Sequence, residues 1–168
     1  MTTPSSSASS ATALSASERE IIELFVQLAA VIGYPRSVGE LYGMLFLSPD
    51  PLTADDLIER LGMSNGSASQ GLKVLRNLGA IKTAYIPGDR RRHFEAELNV
   101  RKIISGFMRQ QVAPNLAEAH DRLERIDELL KSDGDPNRDW LALRLTDLHR
   151  WSKNSEKLAP LVAKLLVK

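Results

Sequence analysis

The chain has 168 residues, 43% of them apolar, and carries 22 basic against 21 acidic side chains. That is enough apolar material for a packed core, and a balance too even for net charge alone to name a partner. Cysteine is absent, which excludes a disulfide framework and a thiolate metal site, and no apolar run reaches the roughly 18 residues that would span a membrane.

Residues 1–17 are rich in Ser, Thr and Ala and lack the basic start and apolar core of a secretory signal. They are expected to form a disordered tail, and a cytoplasmic location is expected for the protein. From Glu18 to Ile32 the apolar residues Ile21, Ile22, Leu24, Phe25, Leu28, Ala29 and Ile32 predict an amphipathic helix, ended by Gly33-Tyr34-Pro35. Ser37 with Glu40 predicts a capping box for a second helix through Leu47, and Pro49-Asp50-Pro51 breaks it.

The next stretch carries the most information. Thr53, with Asp56 three residues on, has the spacing of a helix N-cap, and Asp55 and Asp56 complement the helix dipole. Leu57, Ile58 and Leu61 supply a short apolar face, and Gly62 is placed to end the helix in the left-handed conformation. Ser64 then caps a second helix, in which Ala68, Leu72, Leu75 and Leu78 recur at helical period as one buried stripe. The opposite side carries Asn65, Ser67, Ser69, Gln70, Lys73, Arg76 and Asn77, small polar and cationic groups suited to base edges and phosphates. Gly66 and Gly71 are poor helix formers, at about 1 kcal/mol each relative to alanine, which suggests that close backbone approach matters there.

Gly79 stops this helix. Ile81, Thr83 and Tyr85 alternate with Ala80, Lys82 and Ala84, predicting a strand with one face buried. Pro87-Gly88-Asp89 makes a turn, and Arg90, Arg91 and Arg92 open the returning strand, where Phe94 and Ala96 alternate with His93, Glu95 and Glu97. A helix sized for a major groove beside an arginine-tipped hairpin is a DNA-reading pattern. The charge agrees. Residues 1–59 hold two basic and eight acidic groups, residues 60–93 seven basic and one acidic, and residues 94–168 thirteen and twelve. Positive charge is concentrated where a phosphate backbone would lie.

Residues 99–111 read as a helix leaving the wing. The pattern changes at Pro114, after which Leu116, Ala119, Leu123, Ile126 and Leu130 step by three and four, a heptad seam of just over two repeats. That length suits antiparallel packing on a neighbouring helix or a dimer mate. Gly134-Asp135-Pro136 interrupts it. Arg138 to about Lys157 is predicted to be another helix, with Leu141, Leu145, Leu148 and Trp151 along one side, and Pro160 is expected to open or kink a last apolar helix. Trp140 and Trp151 share roughly one face, as core or interface packing. Helices flanking a reader of this kind build dimers, because two-fold operators need two readers about 34–36 Å apart.

Catalytic and metal motifs are missing from the pattern. His93, His120 and His149 stand in no ligand cluster, and there is no glycine-rich phosphate loop or nucleophile elbow, so neither an enzymatic activity nor a cofactor is expected.

These residues resemble the MarR-type winged-helix repressors, and most closely their GbsR-type branch. The resemblance runs from about Gly33 to Glu97. It is carried by the block from Gly33 to Leu45, by Pro51-Leu52-Thr53, by Leu61 to Ser69, by Leu75 to Gly79, and by the wing Gly88-Asp89-Arg90-Arg91-Arg92. It implies a homodimeric regulator of transcription that binds palindromic double-stranded DNA through the Ser64–Leu78 helix and the wing. The expected architecture is mainly α: a winged helix-turn-helix, of three helices and a β-hairpin wing, with N- and C-terminal dimerisation helices. The expected division is a tail at 1–17, a DNA-binding domain with its leading helix at 18–98, and a helical region at 99–168 that would also house a small-molecule effector, should one act. The DNA-contacting set is Ser64, Asn65, Ser67, Ser69, Gln70, Lys73, Arg76, Arg90, Arg91 and Arg92. A winged-helix protein-interaction module without specific DNA binding is the alternative, and the basic wing counts against it.

Overall fold

Why a first helix forms at all is decided by Ser15. Its hydroxyl accepts the Glu18 amide at 3.2 Å, and the Glu18 carboxylate accepts the Ser15 amide at 2.7 Å. This capping box starts α1 (Ala16–Val31) two residues before the start expected from apolar periodicity. The structure is a computed structural model that describes residues 14–132, 134 and 136–166, with side chains up to residue 155. The expected disordered tail therefore lies almost wholly outside the described residues.

Two compact units make up the chain: one takes in residues up to Arg76 and Ala80–Leu98, the other Asn77–Gly79 and residues from Asn99 on. In the first unit α1 is followed by α2 (Arg36–Leu47), β1 (Leu52–Thr53), α3 (Ala54–Leu61), α4 (Asn65–Asn77), β2 (Ile81–Ala84) and β3 (His93–Ala96). α1 and α2 lie backbone to backbone. A β-carbon on Gly39 would run into Val26, 2.6 Å from its nitrogen, and one on Gly43 would sit 3.0 Å from the Ile22 Cα. Glycine is the residue that permits this approach. The expected Ser37 cap does not form. α2 begins at Arg36, behind Pro35, which supplies no side-chain cap. A proline there fixes the entry angle, and Glu40 is engaged elsewhere, accepting from Arg36 Nε at 2.7 Å. Arg36 also reaches Glu23 of α1 at 2.9 Å.

The core of this unit joins Leu41 and Leu45 of α2 to Leu57 of α3, to Ala68, Leu72 and Leu75 of α4, and to Leu52 and Phe94 of the sheet, all buried. The sheet has three strands, in the order β1-β3-β2, both pairs antiparallel. β1 was not apparent from the sequence, where Thr53 reads only as a cap. Thr53 serves both ends: it pairs with His93, while its side chain accepts the Asp56 amide at 3.2 Å. The expected hairpin forms, and β1 adds a third strand to it. With a neighbour on each side, β3 is central, and His93, Phe94 and Glu97 are all buried where alternation put His93 and Glu97 on the polar face. Glu97 is held by Lys82 at 3.0 Å, and its carbonyl accepts the Tyr42 hydroxyl at 2.8 Å.

In the second unit the α4 exit turn, Asn77–Gly79, is followed after the wing by α5 (Val100–Phe107), a π turn (Met108–Val112), α6 (Ala113–Ser132) and α7 (Arg138–Leu166). Asn99 caps α5, accepting from the Arg101 amide at 3.1 Å. Gly106 of α5 lies on the Leu78 carbonyl so closely that a β-carbon would overlap the oxygen. The helical path runs on through Pro114, where the apolar pattern changes. The preceding π turn bonds five residues back, Ala113 to Met108, and Pro114 sits in the first turn of α6, where its missing amide costs little. Asn115 Nδ2 satisfies the Gln111 carbonyl at 2.6 Å. α7 likewise continues to Leu166, with Pro160 inside it, where a separate last helix was expected.

α6 packs antiparallel on α7 along the expected seam: Leu116, Ala119, Leu123, Ile126 and Leu130 are all half-buried. The α7 side is shifted from expectation. Leu148 and Trp151 are exposed, and His149 and the buried Ser152 take the inward positions. Two polar pairs explain the shift. His120 Nδ1 lies 3.1 Å from Ser152 Oγ, and His149 Nε2 lies 3.0 Å from Asp127 Oδ1. No helix among the described residues is long and apolar enough to cross a membrane.

Candidate nucleic-acid interface

The approach to α4 is set by two local devices. Gly62 turns the chain at φ +63°, a conformation cheap only for glycine, and Met63 donates back to the Ile58 carbonyl at 3.3 Å. Ser64 then caps α4, its hydroxyl oxygen accepting the Ser67 amide at 3.2 Å. The helix presents two faces. Ala68, Leu72, Leu75 and Leu78 are buried as expected, and Ser64, Asn65, Ser69, Gln70, Lys73 and Arg76 are exposed, with Ser67 half-buried among them.

The two glycines of α4 have different reasons. A β-carbon at Gly71 would strike the buried Leu41 side chain, so Gly71 seats α4 on α2. Gly66 has nothing closer than Ser64 Oγ at 3.9 Å, so the first turn of α4 is bare towards solvent.

The wing is an eight-residue loop, 85–92, between β2 and β3. Its tip is a turn closed by Asp89 N–H to the Ile86 carbonyl at 3.2 Å, with Gly88 at φ +87°. The three arginines lie in this loop and not in the returning strand, because ladder pairing stops at Ala84 and His93. They also differ from one another. Arg91 is clamped by Asp89, which accepts from its amide at 2.9 Å and from Nη2 at 2.6 Å. These hydrogen bonds hold the Asp89 carboxyl down at about 2. The buried His93 ring donates Nδ1–H to the Arg91 carbonyl at 3.0 Å, and its Nε2 stands 3.5 Å from Asp89. Arg90 and Arg92 are exposed and have no ion-pair partner among the described residues.

The clamp has a testable pH dependence. A carboxyl depressed from its ordinary 3.8 contributes its pairing fully above that pH and loses it as the pH falls through about 2. An NMR titration of the Asp89 side chain is therefore expected to show a midpoint near 2; a midpoint close to 4 would show that Arg91 does not hold it.

α3, α4 and the wing together enclose an open groove of about 560 Å³. Its floor is apolar, from Ile58, Ala68, Leu72 and Phe94, and Lys73, Arg76, Arg91 and Arg92 stand along it with a single carboxylate, Asp55. A cationic rim above a shape-determining floor suits a phosphodiester backbone.

The comparisons with known proteins agree with this geometry. The HTH-type transcriptional repressor GbsR of Bacillus subtilis (strain 168) is 32% identical over 140 residues, which cover 79% of this chain and 76% of that one. The chain belongs to the GbsR family of helix-turn-helix transcriptional regulators. A crystal structure of a transcriptional regulator superimposes with a TM-score of 0.63 over 88% of this chain and 96% of its own, at 22% identity, and so shares the fold. No family model matches the chain. As a GbsR-family member it is a DNA-binding regulator of transcription.

All ten residues assigned to DNA contact from the sequence lie in this regulator's first unit, on α4, its cap and the wing. Arg91 differs from the rest in being already paired. The strand expected to run to Tyr85 ends at Ala84, and Tyr85 is 86% exposed. The signal was available in the following Ile86-Pro87-Gly88, since a turn that close ends the strand before Tyr85 can pair.

Proposed function

We propose that this GbsR-family regulator acts as a homodimeric repressor on a palindromic operator, each subunit placing α4 in a major groove with the wing against the flanking backbone. The observation that carries this reading is the exposed polar face of α4, beside Arg92 of the wing along one groove. In this arrangement Ser64, Asn65, Ser67 and Ser69 meet bases or a phosphate near the start of α4, and Gln70 is placed to read adenine. Lys73 and Arg76 contact guanine or backbone.

Two exposed apolar stripes support dimerisation. Leu24, Leu28 and Val31 stand at helical spacing along α1, opposite the side that packs on α2. Trp140, Leu143, Leu148 and Trp151 form another on α7. Large apolar side chains grouped in this way mark interaction surfaces. An effector that favoured one arrangement of the dimer helices would regulate by shifting the population of DNA-competent dimers.

The test is fluorescence anisotropy on DNA from upstream of its own gene, against a scrambled duplex, over a range of salt. Nanomolar affinity, a steep salt slope and two chains per duplex are expected. Gln70→Ala should then cost roughly 1–3 kcal/mol at a single base pair and leave the others unchanged. Absence of salt-dependent binding at low salt would replace this reading with a protein-interaction module.

A further inference from the structure

We infer that Gly106 is a positioning residue for DNA reading: α5 holds the exit end of α4 by backbone contact at the Leu78 carbonyl, and so fixes the angle at which α4 meets base edges. The inference rests on the DNA-binding reading above and adds to it a residue outside the DNA-contacting set. α4 is divided between the two units: its body as far as Arg76 belongs to the first, and its exit turn, Asn77–Gly79, to the second. Within the second unit Gly106, buried in the last turn of α5, lies on that exit turn. A β-carbon there would overlap the Leu78 carbonyl oxygen and stand 2.9 Å from the carbonyl carbon. The position of that β-carbon holds a hydrogen instead, aimed at the oxygen as in a Cα–H···O contact. No side chain stands between the two backbones to absorb a displacement by changing rotamer, so α5 and the end of α4 shift together.

The exit turn is fixed from its other side as well. Gly79 takes φ +69°, Ala80 donates to the Leu75 carbonyl at 2.8 Å and closes the end of α4, and the Ala80 carbonyl accepts the Glu97 amide at 2.8 Å. Leu78 and Ala80 are both buried. Two residues after Glu97, Asn99 caps α5. The chain thus leaves α4, runs out along β2 and back along β3, and closes on its own starting point at Gly106. The consequence is one of leverage. α4 has 13 residues, a length of about 20 Å, so a tilt of about 3° at Leu78 would displace Asn65 by about 1 Å. The far end of α4 is the one that carries Ser64, Asn65, Ser67 and Gln70. Hydrogen bonds from short side chains to base edges do not survive such a shift, whereas lysine and arginine stems follow a phosphate through it.

The experiment is anisotropy with the upstream duplex and its scrambled form, beside circular dichroism. Gly106→Ala should lower affinity for the upstream duplex about 10-fold, the worth of one base-edge contact, and leave affinity for the scrambled duplex unchanged, because phosphate contacts set the latter. Loss of folded protein alone would lower both affinities by one factor. Gly39→Ala, whose overlap lies between α1 and α2, should keep the discrimination of the unmodified protein. Should Gly106→Ala not fold, the exit turn is tested at Gly79, which has open space around it. Gly79→Ala is strained in the left-handed conformation and should lose discrimination; Gly79→Asn, which tolerates that conformation, should retain it. Full discrimination in Gly106→Ala, or in Gly79→Ala where the former does not fold, overturns the inference. So does an equal loss on both duplexes, or the same loss of discrimination in Gly39→Ala. If the unmodified protein does not discriminate between the duplexes, the DNA reading itself fails, which is a different result and takes the positioning role with it.

Discussion

Replacing Lys73 by glutamate is expected to weaken DNA binding roughly 100-fold while leaving the fold intact, since like charge brought against a phosphate costs several kcal/mol. Lys73 is exposed on α4 and lines the groove beside Arg76 and Arg92. Its ammonium makes no ion pair among the described residues, so no internal partner is lost in the exchange. Loss of that cation alone should also flatten the salt slope by about one. The check is anisotropy beside circular dichroism. Unchanged affinity in a folded Lys73→Glu would exclude the polar face of α4 from the interface and leave the wing to account for binding.

The second large effect falls on stability. Gly39→Ala should lower the unfolding free energy by about 3 kcal/mol, at the upper end of ordinary overpacking. The added methyl would lie 2.6 Å from the Val26 nitrogen and 2.7 Å from the Phe25 oxygen. Those are backbone atoms, which have no rotamer to escape into, so α1 must move as a body and give up its contacts with α2. The helix propensity gained by removing a glycine, about 1 kcal/mol, works against this loss and is smaller. Gly66→Ala isolates that propensity, because its site is open: it should be neutral or stabilise by up to about 1 kcal/mol. Urea unfolding followed by circular dichroism measures both. A Gly39→Ala protein as stable as the unmodified one would mean that α1 and α2 are not in backbone contact.

Much of the reader was legible in the residues because its signals are local. Thr53 with Asp56, Gly62 with Ser64, and the stripe through Ala68, Leu72, Leu75 and Leu78 each depend on neighbours within a few positions, and each appears in place. What escaped depends on partners far along the chain. β1 is two residues long and exists only because β3 passes beside it, some forty residues later. That remote pairing makes β3 central and buries His93 and Glu97, which period-two alternation assigned to solvent. The Asp89 clamp on Arg91 is local, yet a run of three arginines reads as three equal cations until the turn at Gly88 brings the carboxylate back. The register of α7 escaped for a further reason: hydrophobic periodicity ranks Leu148 and Trp151 above His149 and Ser152, and the hydrogen bonds to Asp127 and His120 reverse that order.

Those two hydrogen bonds also limit how the second unit is able to move. Sliding α7 along α6 by one helical turn would carry each partner about 5.4 Å, out of hydrogen-bonding reach, and would strand Ser152, 2% exposed, without its imidazole. Slippage would therefore cost both pairs at once, and they key the register of α7 on α6. The π turn at Met108–Val112, where the backbone bonding departs from the α pattern, leaves that keyed register untouched because it lies before α6 begins.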